Sequence, residues 1–334
     1  MRRFTSKLAV ATLAIGAGYV AAQMLAPAWR LATSTDAPPA AVAELVASPT
    51  PSSVEGDELV LGVLDRLERR PNVAAKVRQT LRHGDQSYSG VGRYWQQYVG
   101  NQRRTRWELK TALDDEAAFF TQIYDRDYVW TDRQTPTGRA VTRIDLQRVR
   151  RDLGMTPFDQ GQGAADATRQ ELLVRGGMTQ VLAELHRNFT FSPPQLVRQG
   201  NRESLALVGR WRPEFLAAAW PTAVGGDLGE WPPHLPHHVL LHVTARDLFP
   251  HLIEYRGPED AALAASAAGH RPSRNPLASY VLDDIQFAAP MPEKQFEGFA
   301  QSDWRDVTAR AMERLQPPPS PEREKTAGRY GDVR

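Results

Sequence analysis

The spacing of apolar positions changes several times along the chain. Leu59, Val63, Leu64 and Leu67 share one helical face, and Pro71 ends that segment. Asn72 stands where a helix cap belongs, and Val73, Val77 and Leu81 recur every four residues behind it, which predicts a second amphipathic helix. From Tyr88 to Ile144 the period falls to two, in runs at 88–99, 104–113, 119–124, 128–132 and 140–144. Between 104 and 110 the alternation is clean: Arg104, Arg106, Glu108 and Lys110 lie on a wet face, and Thr105, Trp107 and Leu109 on a dry one. Turn residues fill the short gaps at Asp125–Asp127 and Pro136–Gly138, so the runs read as an antiparallel meander.

A helical interlude follows. Residues 145–153 predict a short helix, and Thr168 with Glu171 forms a capping box for a longer one. The apolar face of the longer helix is Val174, Met178, Val181, Leu185 and Phe189, with Gly176 and Gly177 weakening its middle. Strands resume at 188–191, 204–211, 236–245, 250–256 and 277–288, and a last helix is predicted over 304–315. The loops at 221–236 and 257–276 are long for a compact domain. The pattern predicts an α+β fold: about ten strands in one curled antiparallel sheet, with helices packed on its concave face.

The ends of the chain differ from this body. After Arg2, Arg3 and Lys7 comes an apolar run from Leu8 to Ala22, with Val20-Ala21-Ala22 as a small-residue cleavage site. This is the shape of a signal peptide. Apolar character resumes from Met24 to Trp29, so residues 8–29 also suit an uncleaved anchor in the inner membrane. Both readings imply export, to the periplasm or cell envelope. Residues 23–56 are rich in Ala, Pro and Ser and read as a linker, and the proline-rich 316–334 as a disordered tail, which leaves a body at 57–315.

Composition removes several functions. The 334 residues carry 41 Lys and Arg against 39 Asp and Glu, for a formal charge of +2. Three of those cations precede the apolar leader, so the body has no overall field to attract nucleic acid. Cysteine is absent, which excludes thiol nucleophiles, disulfides and Cys-ligated metal. No Gly-x-Ser-x-Gly elbow, phosphate loop or dinucleotide fingerprint occurs, and no cofactor is implied. Five histidines (His234, His237, His238, His242, His251) cluster within 18 residues, but His238 and His242 on one strand would stand ~13 Å apart, too far for one ion. Adjacent Asp283 and Asp284 on a strand should point to opposite faces, which excludes a paired acid and base.

Several segments resemble the LolA/LolB-like lipoprotein-carrier superfamily. They are Arg104-Thr-Arg-Trp107-Glu-Leu; Gln122-Ile-Tyr-Asp125 leading to Trp130-Thr-Asp; Val141-Thr-Arg-Ile-Asp145; and the closing pair Phe249–Arg256 and Tyr280–Phe287, followed by Phe296. The resemblance implies an unclosed β-barrel whose apolar cavity, lidded by helices, holds acyl chains of lipoproteins. Three features depart from the carriers: the helical insertion at 145–188, the N-terminal tether, which is unusual for a freely diffusing shuttle, and Asn101-Gln-Arg-Arg104, which lacks their Arg-Pro context before the strand. The candidate cavity residues are Trp107, Leu109, Ile123, Trp130, Trp211, Val239, Leu241, Val243, Ile285 and Phe287, all assigned to the dry face. A pocket of this kind needs few polar anchors, since each buried methylene contributes about 0.8 kcal/mol. The expected occupant is therefore a lipid or lipoprotein acyl chain, in a non-enzymatic carrier or sensor. The alternative is a structural or protein-interaction module of the envelope whose sheet is plugged by its own helices.

Overall fold

The computed structural model describes residues 56–315 apart from 84–85, 100–101, 114, 156–167, 200–201, 220–230, 233–234, 258–275, 288–290 and 300–302. The expected leader, linker and tail, His234 and most of the two long loops lie outside the described residues.

The chain begins with helix α1 (Gly56–Arg69) and continues into six strands, β1 (Asn72–His83), β2 (Gln86–Val99), β3 (Gln102–Leu113), β4 (Glu116–Tyr124), β5 (Tyr128–Thr135) and β6 (Gly138–Asp145). Helices α2 (Leu146–Asp152) and α3 (Gly177–Asn188) follow, then β7 (Phe189–Phe191), β8 (Gln195–Gln199), β9 (Arg202–Trp211) and α4 (Pro213–Ala219). The remainder is β10 (His238–Thr244), β11 (Pro250–Arg256), β12 (Ala278–Phe287), a 3-10 turn (Glu293–Phe296), β13 (Trp304–Asp306) and α5 (Thr308–Leu315). The described strands form one 13-stranded sheet in the order β13-β6-β5-β4-β3-β2-β1-β12-β11-β10-β9-β7, with β8 also on β9. All neighbours are antiparallel except β13, which runs parallel to β6. The sheet is unclosed, as the sequence predicts.

Three predicted elements are corrected. The segment after Asn72 is a strand: Val73, Ala75, Val77, Gln79 and Leu81 are buried in alternation, and all of 72–83 pairs with β2. A spacing of four is also a multiple of two, so the apolar positions that suggested a helix fit one face of a strand equally well. The helix predicted from Thr168 onward breaks, with a helical turn at 168–172 and α3 restarting at Gly177. Gly176 and Gly177 have φ of 80° and 65°, a backbone region costly for other residues. The last helix starts at Thr308, because 304–306 is spent on the β6 edge and the Asp306 carboxylate accepts from the Thr308 N–H at 2.8 Å.

Pairing register assigns each side chain to a face. The inner face carries Val73, Val77, Tyr94, Trp107, Leu109, Phe120, Leu207, Val239, Leu241, Ile253, Tyr280 and Leu282, in one cluster with the apolar stripe of α1 (Leu59, Val60, Val63, Leu64, Leu67) and Met178, Val181, Leu182 and Leu185 of α3. Toward β5 and β6, α2 and α5 add Leu146, Val149, Ala311 and Leu315 around Tyr124 and Val129. A Cβ on Gly92 would lie 1.8 Å from the Glu108 carbonyl oxygen, so β2 and β3 coil together here only with glycine. On the outer face the stretch after β12 covers Trp95 with Met291 and Phe296. The C-terminal segment thus passes over the outer face, pairs along the β6 edge and returns to the inner side as α5.

Candidate functional site

The inner face and its two covering helices form the candidate site. Seven of the ten residues selected from sequence meet there: Trp107, Leu109, Trp211, Val239, Leu241 and Val243 belong to the inner cluster, and Ile285 packs against it half-buried. Phe287 sits at the margin, 36% exposed, with its ring 5.9 Å from that of Phe249 and 3.9 Å from the Arg70 guanidinium carbon. Ile123 and Trp130 lie on the other side of the sheet. Trp107 pairs with Gln122, so Ile123, one residue on, points outward, and Trp130 pairs with Ile123. At Ile123 and Trp130 the strands are dry on both faces, because the outer one is covered there by the C-terminal segment, with Trp304 5.9 Å from Trp130. Dryness therefore could not tell the faces apart.

The structure explains the Asp125 to Trp130 motif in physical terms. The Asp125 carboxylate accepts from the Tyr128 N–H at 2.9 Å and from the Trp130 indole N–H at 3.1 Å. Burial raises its pKa against those bonds. The motif is a hairpin lock and stands apart from the inner face.

A polar group that sequence reading passed over closes one end of the site. Arg103 has the parity of Thr105 and Trp107, so a guanidinium points to the dry side. It is 5% exposed, and burial together with Arg175 pulls its pKa down to about 9. Arg103 pairs with Glu68 of α1 and donates to Thr179 of α3 and, at 2.9 Å, to Gln96 Oε1. Gln96 in turn donates to the carbonyls of Leu67 and Arg70, at 2.7 and 2.9 Å. Glu68 also accepts from Thr179 at 2.9 Å and meets Arg175 at 2.7 Å, and Arg175 and Arg150 converge on Glu171 at 3.1 and 2.8 Å. Burial alone would raise the Glu171 carboxyl, but the two guanidiniums hold it below the usual range. Gln122 completes this end by accepting the Gly177 N–H at 2.8 Å, which satisfies a donor at the start of α3. The C-terminal end of α1 and the N-terminal end of α3 are thereby tied to β2, β3 and β4. A charged residue at a dry-face parity was the signal that could have revealed it.

The other end of α3 carries Glu184. It accepts from Gln180 at 2.7 Å and borders a void of about 10 Å³ with Leu185, Asn188, Phe189, Trp211, Pro236 and Tyr255. Desolvation pushes its pKa up to about 7 despite Arg314 and Arg187. The void holds about one water molecule, so the helices fill the inner face here.

The remaining chemistry resolves into structural contacts. His251 Nε2 lies 2.7 Å from Ser204 Oγ, the spacing of a nucleophile and its base. Both are buried, Arg202 approaches His251 Nδ1 at 3.5 Å, and burial with His242 and Arg202 pulls the imidazole down to about 3. A guanidinium donating to Nδ1 leaves the proton on Nε2, so the ring offers the hydroxyl no lone pair. His242 and His251 come within 5.8 Å across strands, a proximity that one-strand spacing does not reveal. Among the described residues no three His, Asp or Glu side chains are grouped to hold a metal ion. Asp283 and Asp284 depart from expectation. Asp284 has φ of 48° at a bulge, and both carboxylates reach cations of β1, Arg78 at 2.9 Å and Lys76 at 2.6 Å. Each is neutralised at the surface.

No protein-family model matches the chain, and no curated protein matches its sequence. Solved structures similar to it include an uncharacterized conserved protein from Thermus thermophilus, at 12% identity over 74% of this chain and 98% of that one, with a TM-score of 0.37. An outer membrane lipoprotein-sorting protein domain from Vibrio parahaemolyticus aligns at 11% identity over 72% of this chain and 96% of its own, with a TM-score of 0.31. A LolA superfamily protein from Nitrosomonas europaea aligns at 12% identity over 73% and 98%, with a TM-score of 0.25. These include the class whose motifs the sequence resembles, and the similarity is remote. Among the described residues no helix is long and apolar enough to cross a membrane.

Proposed function

We propose that this chain is a non-enzymatic binding protein of the cell envelope that holds the acyl chain of a lipid or lipoprotein between its inner face and the cover formed by α1 and α3. One observation carries this reading: the apolar inner surface is covered by helices and not closed by strands. Displacing α1 and α3 would break side-chain contacts and the polar group at Glu68 and Arg103, but no ladder hydrogen bond of the sheet. An apolar pocket needs no further charged partner for an alkyl chain. The apolar leader at residues 8–22 supports export, and retention of residues 8–29 would anchor the protein to the inner membrane. The self-plugged module is the second reading, favoured by the close filling of the inner face around the 10 Å³ void.

The cysteine-free sequence allows a direct test. A Cβ built on Gly177 lies 3.7 Å from Thr105 Cβ, within the range that a disulfide spans. The double variant Gly177→Cys, Thr105→Cys should therefore tie α3 to β3 when oxidised. A side chain at φ 65° strains the site by ~1–2 kcal/mol, which the cross-link can bear. Reduced protein should take up a fluorescent fatty acid and oxidised protein should not. Equal uptake in both states would refute an opening at this end. No uptake in either, with no lipid found by extraction and mass spectrometry of the wild type, would make the chain a scaffold.

A further inference from the structure

The outer face shows a second surface, independent of what the inner face holds. Register aligns three rows across β1 to β4: Arg78, Val91, Lys110 and Phe119; Lys76, Arg93, Glu108 and Thr121; and Ala74, Trp95, Arg106 and Ile123. Three cations here are neutralised, Lys76 by Asp284, Arg78 by Asp283 and Arg106 by Glu108. Among the described residues Arg93, Lys110 and Lys294 have no carboxylate partner. Arg93 and Lys294 line an open cleft of about 400 Å³ with Trp95, Arg106, Glu108 and Gln295, between β2, β3 and the 3-10 turn. Beside the cleft stand two apolar side chains that the fold leaves in water, Val91 at 60% and Phe119 at 42% exposure. Lys110 Nζ lies 5.6 Å from the Phe119 ring centroid.

We infer that this face docks on an anionic membrane surface, with the phosphate of a lipid headgroup in the cleft between Arg93 and Lys294. Charge complementarity supplies the argument for a phosphate, since among the described residues the one carboxylate lining the cleft already faces Arg106. The two exposed apolar side chains supply the argument for a membrane, where ring and methyl groups enter the headgroup boundary and neighbouring cations meet anionic lipid. A soluble phosphate would use the cleft and gain nothing from Val91 or Phe119.

The test is sedimentation of the full chain with vesicles of phosphatidylglycerol and phosphatidylcholine, and with phosphatidylcholine alone. Wild type and variants share the apolar leader, so differences among them report on the body. Arg93→Glu with Lys294→Glu should lower apparent affinity for the anionic vesicles at least about thirty-fold, for two lost surface cations. Arg69→Glu with Arg198→Glu, the same charge change away from this face, should leave it within about three-fold. Phe119→Ser should weaken it as well, and 0.5 M salt should abolish the difference between wild type and the first variant. Equal losses in both double variants would reduce the effect to net charge and overturn the proposal, as would no loss in either. Millimolar inorganic phosphate that protects Arg93 and Lys294 from modification, with no vesicle binding beyond the phosphatidylcholine control, would overturn the membrane as the source. Circular dichroism of each variant checks that the sheet is intact.

Discussion

Replacing Glu184 by Gln should change how stability depends on pH, and the expected size follows from the environment of the carboxyl. An ordinary glutamate titrates near 4.5, whereas desolvation on α3 holds this one near 7. Below 4.5 the group is neutral in folded and unfolded chains and contributes no difference. Between 4.5 and 7 the unfolded chain gives up its proton while the folded one keeps it, so folding takes up a proton and stability falls as pH rises. Above 7 the loss is complete. A difference of two to three pH units corresponds to about 3 kcal/mol. The glutamine keeps an oxygen for Gln180, which donates to Glu184 at 2.7 Å, and carries no charge. Urea unfolding of wild type and Glu184→Gln at pH 4.5, 6, 7 and 8 should therefore give curves that coincide at the acid end, apart from a constant offset, and diverge upward for the variant. At pH 8 the variant should be more stable by about 3 kcal/mol, worth roughly 6–12 °C in melting temperature for a body of this size. Other carboxylates titrate alike in both proteins, so the difference isolates this residue. Parallel curves across the range would refute the desolvation of Glu184.

Two further outcomes test the inner face. Leu241 is fully buried, so Leu241→Glu should prevent folding at pH 7, read as loss of the cooperative thermal transition; a folded variant that has lost only lipid uptake would instead show a roomy cavity. Arg103→Met should cost about 3–5 kcal/mol because it leaves Glu68 facing Arg175 and Thr179 without its innermost partner, and adding Glu68→Gln should recover part of that loss. Urea unfolding of the four proteins of this cycle measures the coupling, and strictly additive losses would mean that the two residues act separately.

The fold was legible where one period prevailed over a long run. Strands β2 and β3 follow from clean alternation, and the α1 stripe follows from Leu59, Val63, Leu64 and Leu67. Legibility failed where one observation fits two structures. Val73, Val77 and Leu81 satisfy a helix and a strand alike, and the ladder to β2 and β12 decides between them. Ile123 and Trp130 were misplaced because an apolar side chain signals burial without saying which side of the sheet buries it. The bulge that turns Asp283 and Asp284 to one face depends on φ at a single non-glycine residue, which carries no composition signal. Arg103 differs from these cases. Its parity was readable, but parity alone does not supply the Glu68 and Thr179 that make a buried guanidinium tolerable.

The cover and the proposed occupant compete for one surface, which sets what the ligand must be. Alkyl carbon contributes about 0.8 kcal/mol per buried methylene, so a chain of about sixteen carbons can supply ~12 kcal/mol, comparable to the ~5–15 kcal/mol that holds a whole domain together. A chain of about four carbons supplies ~3 kcal/mol, no more than the loss expected from breaking the Glu68 and Arg103 contact alone. If the proposed function holds, the polar group at the Gly177 end would act as a threshold. Short or weakly apolar molecules would then not displace α1 and α3, and a long acyl chain would, provided that the helices leave as a unit and the sheet stays paired. The unclosed topology meets that condition, since the ladder from β13 to β7 involves neither helix.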